Sequence, residues 1–186
     1  QFTYRIQKET EIAAPRGTIY DCNGTVLAYD RMIYSVIIEN STLPSDNETR
    51  NTMIENLIRI VEDHGEETIY SIPMEIGEDG TIQFTGSDST IRNFKKDIFG
   101  VNYTDSLSTR QEEMTAQELY DYMRGENLFN VTGDYTDAEM LKILALRYEL
   151  YMTRYQRYVT VTVVSDVEDD LVAAIKENST SLPGVT

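Results

Sequence analysis

Apolar residues along this chain follow two periods, and the switches between them divide it into elements. Residues 2–13 alternate loosely and predict a long strand. Residues 16–21 and 25–29 predict a hairpin around Asn23-Gly24, a pair in which both members favour positive φ. Residues 32–39 (MIYSVIIE) are β-branched and aromatic and predict a further strand. The period then lengthens. Ser45 with Glu48 three residues on has the form of a capping box. A helix with Met53, Leu57, Ile60 and Val61 on one face follows, and His64-Gly65 closes it.

Residues 68–76 and 81–84 predict a second hairpin around Glu78-Asp-Gly80, and residues 89–99 a short helix stopping at Gly100. The polar stretch 101–114 reads as a surface loop. Thr115/Glu118 and Thr136/Glu139 are two more capping boxes, opening helices that run to about residues 124 and 155. The second helix carries Met140, Leu144, Tyr148, Tyr151 and Tyr155 on one face, widened by Leu141 and Leu150. Residues 158–164 (YVTVTVV) predict a buried strand. Ser165/Glu168 would cap a last helix to residue 178, before Leu182-Pro-Gly184. Strands near both ends with helices between them indicate an α+β fold.

Composition narrows the function. At 186 residues the chain holds one ordinary domain or two small ones, and 40% hydrophobic residues with thirteen tyrosines make it globular. Sixteen basic against thirty-two acidic residues leave a net charge of −16, scattered along the chain. Such a surface repels phosphates and anionic lipid heads, so nucleic acid is not an expected partner. No run of eighteen apolar residues occurs. The single cysteine, Cys22, allows no internal disulfide and no cysteine-based zinc site. Asn-x-Ser/Thr triplets begin at Asn23, Asn40, Asn47, Asn102, Asn130 and Asn178, a frequency that chance explains in an Asn/Thr-rich chain.

Catalytic constellations are not legible. His64 falls at a helix C-terminus, where an imidazolium suits the dipole, and no triad can be drawn around it. The acidic run Asp166-Val-Glu-Asp-Asp170 opens a helix, and Glu78-Asp79 sits in a turn; neither has the alternating ligands of a calcium loop. Ser-x-x-Lys and Lys-Thr-Gly are absent, while Ser45-Asp-Asn47 matches a penicillin-interacting motif by letters alone. No catalytic, metal or cofactor-binding residue is assigned, and the chain reads as a binding or scaffolding module.

One stretch says more. Arg16-Gly-Thr-Ile-Tyr-Asp-Cys-Asn-Gly-Thr-Val-Leu-Ala28 resembles the R-G-x-I-x-D-R-N-G…L-A signature near the start of class B penicillin-binding proteins, the monofunctional peptidoglycan transpeptidases. Tyr34-Ser-Val36 is similar to the strand that follows it there. Arg147-Tyr-Glu-Leu150, the strand at 158–164, and a helix with Glu177 before Leu182-Pro-Gly-Val185 are similar to the end of the same non-catalytic domain.

The resemblance implies a pedestal, or dimerisation, domain over residues 1–186. Residues 1–40 and 156–186 would form a stem and about 41–155 a head. A membrane helix would precede the domain and a serine D,D-transpeptidase domain would follow, placing it on the extracytoplasmic face of a bacterial membrane. Expected partners are that transpeptidase domain, membrane proteins of cell elongation or division, and a second copy in a weak homodimer. The Asp-Pro often seen in division-type members is absent after Glu39, which leans towards elongation.

By the same resemblance Arg16 and Asp21 would join a charged inter-domain knot. Gly17 would allow close backbone approach, and Asn23-Gly24 would set the hairpin register. Glu177, Leu182, Pro183 and Gly184 would shape the exit towards the catalytic domain. Cys22 stands where the family usually has arginine, and a thiol packed against Tyr20 is expected there. The competing readings from composition are an extracellular hydrolase using paired carboxylates and a ligand-binding surface domain.

Overall fold

The computed structural model describes residues 19–28, 33–156 and 158–186. The chain separates into two units, Gln1–Ile33 and Tyr34–Thr186. In the first, β1 (Ile19–Tyr20) and β2 (Val26–Ala28) pair antiparallel. The long strand expected over residues 2–13 lies outside the described residues.

In the second unit alternation makes β3 (Tyr34–Glu39), which buries Val36 and Ile38. A 3-10 turn (Asn40–Thr42) leads to α1 (Asn47–Asp63), which buries Met53, Ile54, Leu57, Ile58 and Val61. Its N-cap is Asp46, one residue later than the expected Ser45; Asp46 accepts from the Thr49 amide at 2.7 Å. The helix ends at His64, with Gly65 at φ 78°. β4 (Met74–Ile76) and β5 (Ile82–Phe84) form the second hairpin, shorter on its first arm than the pattern predicts. α2 (Asp88–Phe99) is capped by Ser87 and stops at Gly100, φ 64°.

The polar stretch at 101–114 is more than a loop. It contains α3 (Thr109–Glu113), opened by a capping box between Ser108 and Gln111. Two lysines of α2 hold this segment: Lys95 Nζ donates to the carbonyls of Glu112 (2.6 Å) and Met114 (2.7 Å), and Lys96 Nζ to that of Tyr103 (2.8 Å). Burial pushes the Lys95 ammonium below the usual lysine range.

α4 (Ala116–Arg124) and α5 (Asp137–Met152) start at the Thr115 and Thr136 capping boxes. α5 ends earlier than expected, leaving Tyr155 85% exposed beyond it. Its run Ile143–Arg147 is buried at every position, so a single apolar stripe describes this helix too narrowly.

β6 (Thr160–Val167) is antiparallel to β3, with Val36 opposite Val164 and Ile38 opposite Val161. Pairing skips Val163 and Asp166. The first bulge turns both Val163 and Val164 into the core; the second holds Asp166 at φ 59°, a conformation that L-residues other than Asn and Asp rarely take. The strand therefore runs through Ser165 and displaces the expected cap: α6 (Asp169–Glu177) has Glu168 at its N-cap, with no side-chain cap bond. Tyr158, expected in the buried strand, is 98% exposed.

The core is contiguous across α1, α2, α4, α5, β3 and β6. Inside it polar groups tie α1 to α5 and to the segment between α4 and α5. Asn51 Nδ2 donates to the carbonyls of Phe129 (3.0 Å) and Asn130 (2.9 Å), which holds Asn130 at φ 48°. Arg147 Nη2 donates to Asn47 Oδ1 at 2.6 Å, and its guanidinium lies 4.9 Å from the Phe129 ring centroid. Burial first, and then the nearby Arg50 guanidinium, push Arg147 down to about 9.

Asn51→Ala leaves the Phe129 and Asn130 carbonyls without this donor and is expected to cost about 1–3 kcal/mol. In urea unfolding the midpoint should fall with an unchanged slope.

Candidate functional site

The residues singled out by sequence fall in two places, one in each unit. In the first, Asp21 organises the hairpin turn. Its Oδ1 accepts from the amides of Asn23 and Thr25, both at 2.8 Å. The Gly24 amide donates to the Asp21 carbonyl at 3.1 Å, and the Asp21 amide to the Thr25 carbonyl at 2.9 Å. These bonds, led by those from Thr25 and Asn23, hold the Asp21 carboxyl below the usual aspartate range.

The turn differs from expectation. Of the pair Asn23-Gly24 only Gly24 has positive φ, at 82°. The loop is thus a four-residue turn closed by a left-handed glycine, the three-residue hairpin loop class. Asp21 was not expected as its organiser, although Asp two residues ahead of Asn-Gly is the signal of such an Asx turn. Cys22 is exposed, against the expectation of a packed thiol, because it occupies the turn and not a strand. Arg16 and Gly17 lie outside the described residues.

The second place is the closure at Leu182–Thr186. Leu182 is 1% exposed, so it anchors the segment in the core. Gly184 follows at φ 85°, and a Cβ there would stand 2.7 Å from Thr42 Oγ1. Its carbonyl accepts from the Glu39 amide at 2.8 Å. Ile37 and Thr186 then exchange both backbone bonds, at 2.8 and 2.9 Å, and Val185 bridges Ile38. Pro183 is half-buried between Leu182 and Gly184. These three residues therefore turn the chain after α6 and lay it on the edge of β3. Glu177 is not part of that contact; it is exposed on the last turn of α6. Thr42, which faces Gly184 and donates to the Glu39 carbonyl at 3.0 Å, had no sequence signal beyond its place after a strand.

The other candidates fill structural roles. His64 Nδ1 lies 2.7 Å from the Ile60 carbonyl at the end of α1. Asp79 Oδ1 accepts from the Thr81 amide and hydroxyl, so its carboxylate serves the β4–β5 turn. Among the described residues no three His, Cys, Asp or Glu side chains converge as a metal site would require. Ser45-Asp-Asn47 forms the entry to α1, with Asp46 as cap.

The family model for the penicillin-binding protein dimerisation domain matches residues 11–186. The chain belongs to that family. A search of curated proteins finds no match. As a penicillin-binding protein dimerisation domain the chain is the non-catalytic region of such a protein, and its six described helices with small antiparallel sheets are an α+β fold. Among the described residues no helix is long and apolar enough to cross a membrane. The match spans both the hairpin and the Leu182–Gly184 closure of the dimerisation domain.

Two outcomes test this geometry. Asp21→Ala removes the acceptor of the Asn23 and Thr25 amides, and both should exchange with solvent faster. Because the folded-state pKa lies below the unfolded value, the wild-type turn has this stabilisation above about pH 4 and loses it as pH falls further. Amide exchange against pH should show that loss in the wild type and not in Asp21→Ala. Gly184→Ala forces a side chain into left-handed backbone and against Thr42, and should cost about 1–3 kcal/mol. Adding Thr42→Ala should recover part of it by removing the collision while leaving the backbone strain, as read by thermal unfolding.

Proposed function

We propose that this domain is the pedestal of a membrane-anchored bacterial penicillin-binding protein. It stands on the extracytoplasmic side and positions a serine D,D-transpeptidase domain that cross-links peptidoglycan. It also offers surfaces to membrane proteins of the cell-wall machinery, with elongation preferred over division. The observation that carries the reading is the family match over 11–186, which reaches both ends of the resemblance. Its physical counterpart is the structural use of groups that could carry chemistry: His64 meets a carbonyl at a helix end, Asp79, Glu118 and Glu139 cap turns and helices, and Lys95 binds carbonyls.

The mechanism of such a domain is positional. A catalytic domain is held by a rigid base, and the base here is a β3-centred sheet covered by helices. Arg16, Gly17, Asp21, Asn23 and Gly24 would contribute the hairpin side of the junction, and Leu182, Pro183 and Gly184 the exit. The Asp21 carboxylate, oriented by the Asn23 and Thr25 amides, would be the group to meet a guanidinium. Self-association by this piece works against a net charge of −16, so a homodimer would be weak.

The test uses the longer protein. A fluorescent penicillin should label it at a serine outside this domain. Deleting Tyr34–Thr186 should leave labelling of the detergent-purified protein intact but abolish its ability to support peptidoglycan cross-linking in cells. A longer protein that takes no label, or a deletion that leaves cross-linking normal, overturns the reading.

A further inference from the structure

The turn that Asp21 organises carries a reactive pair. Asn23-Gly24 is the one Asn-Gly step in the sequence, and both residues are exposed. The Asn23 backbone amide is held by Asp21, but its side-chain carboxamide has no hydrogen-bond partner among the described residues. Gly24 has no side chain to shield its nitrogen, and nothing lies within 4 Å of where a Cβ would stand.

We propose that Asn23 is a site of spontaneous covalent modification, converted through a succinimide to isoaspartate. The Gly24 nitrogen gives up its proton to solvent base and attacks Asn23 Cγ. The new N–Cγ bond replaces the Cγ–Nδ2 bond, and ammonia leaves. Water then opens the imide ring at either carbonyl. Opening at the backbone carbonyl leaves the chain running through Cβ and Cγ, which is isoaspartate; opening at Cγ gives ordinary aspartate. Water is the only co-reactant, and nothing is oxidised or reduced.

The turn itself sets the rate. The Gly24 amide donates to the Asp21 carbonyl at 3.1 Å and must be released before it can attack. That bond closes a hairpin whose strands have two and three residues, and so short a pair opens readily. Asp21, whose carboxylate holds the Asn23 and Thr25 amides, therefore acts as a brake. The two Asn-Ser steps make a built-in comparison. Asn40 Nδ2 donates to the carbonyls of Thr153 and Gln156, and Asn178 Nδ2 to that of Ala174. At about 1 kcal/mol per bond, both side chains are held away from reaction. Isoaspartate at position 23 would insert an extra carbon into the main chain and set a second carboxylate beside Asp21. On the pedestal reading this would loosen the junction in older molecules; the chemistry does not rest on that reading.

The test ages the 186-residue chain in warm, mildly alkaline buffer and digests it with trypsin. The peptide from Gly17 to Arg31 should gain the amide-to-acid mass difference and resolve into two forms, with isoaspartate in excess. Conversion should run more than about tenfold faster than at Asn40 or Asn178, a barrier difference of ~1.4 kcal/mol. Asp21→Ala should speed it severalfold. Asn23→Gln, whose longer side chain closes a ring far more slowly, should abolish it. Conversion at Asn23 no faster than at Asn40 and Asn178 overturns the proposal. An unchanged rate in Asp21→Ala overturns the brake. Either failure leaves the pedestal reading standing, because penicillin labelling of the longer protein does not depend on this chemistry.

Discussion

Everything in the second unit depends on β3 being held from both sides by chain that comes much later. β6 covers one edge and Gly184–Thr186 the other, with Val36 and Ile38 buried between helices and sheet. Closing so long a loop costs entropy, but that cost grows only with the logarithm of length. It is met where apolar burial is densest. The inserted helices can vary in detail as long as α1 and α5 present their apolar faces to this ribbon. Gly184 is the narrow point, because the close approach to Thr42 leaves no room for a side chain.

Charge is deployed in an unusual way for so acidic a chain. Its partly or wholly buried cations seek carbonyls and ring faces more than carboxylates: Lys95 and Lys96 bind backbone oxygens, Arg50 binds the Pro44 carbonyl, and Arg147 lies over Phe129. Carboxylates in turn accept from tyrosine hydroxyls, as in Tyr120 to Asp137 and Tyr148 to Asp97, both of which burial and the neighbouring carboxylate push above the usual tyrosine range. Surface ion pairs such as Lys142 with Glu62 and Arg92 with Glu112 add little in water. Internal fastening by dipoles and burial is barely screened by salt, while the repulsion among surface carboxylates is. Rising ionic strength therefore relieves the repulsion and leaves the fastening in place, which favours the folded state.

The elements with chemical punctuation were legible. Thr115 and Thr136 announced α4 and α5, and Gly65 and Gly100 closed helices with positive φ. Where two signals overlapped, the tertiary one prevailed. Ser165-Asp-Val-Glu168 has the letters of a capping box, but pairing to β3 keeps Ser165 extended and moves the helix start to Asp169. α3 was hidden because its five residues bury nothing; its support comes from Lys95, which no local pattern reveals. At the candidate site, the hairpin and Leu182–Gly184 were visible as motifs. Their partners, Thr42 and the Glu39 amide, were not, since pairing across the sheet leaves no trace in local spacing.

The place of β3 in the chain has a consequence for the protein's birth. β3 is made before the helices and the late strand of its unit. Both of its sheet partners lie between Thr160 and Thr186. Helices α1 to α5 can form local contacts as they appear, but Val36 and Ile38 must wait, with an uncovered strand edge, until nearly the whole domain has been delivered. In that interval β3 is the segment most open to wrong pairing, and the arrival of Leu182-Pro-Gly184 closes its second edge.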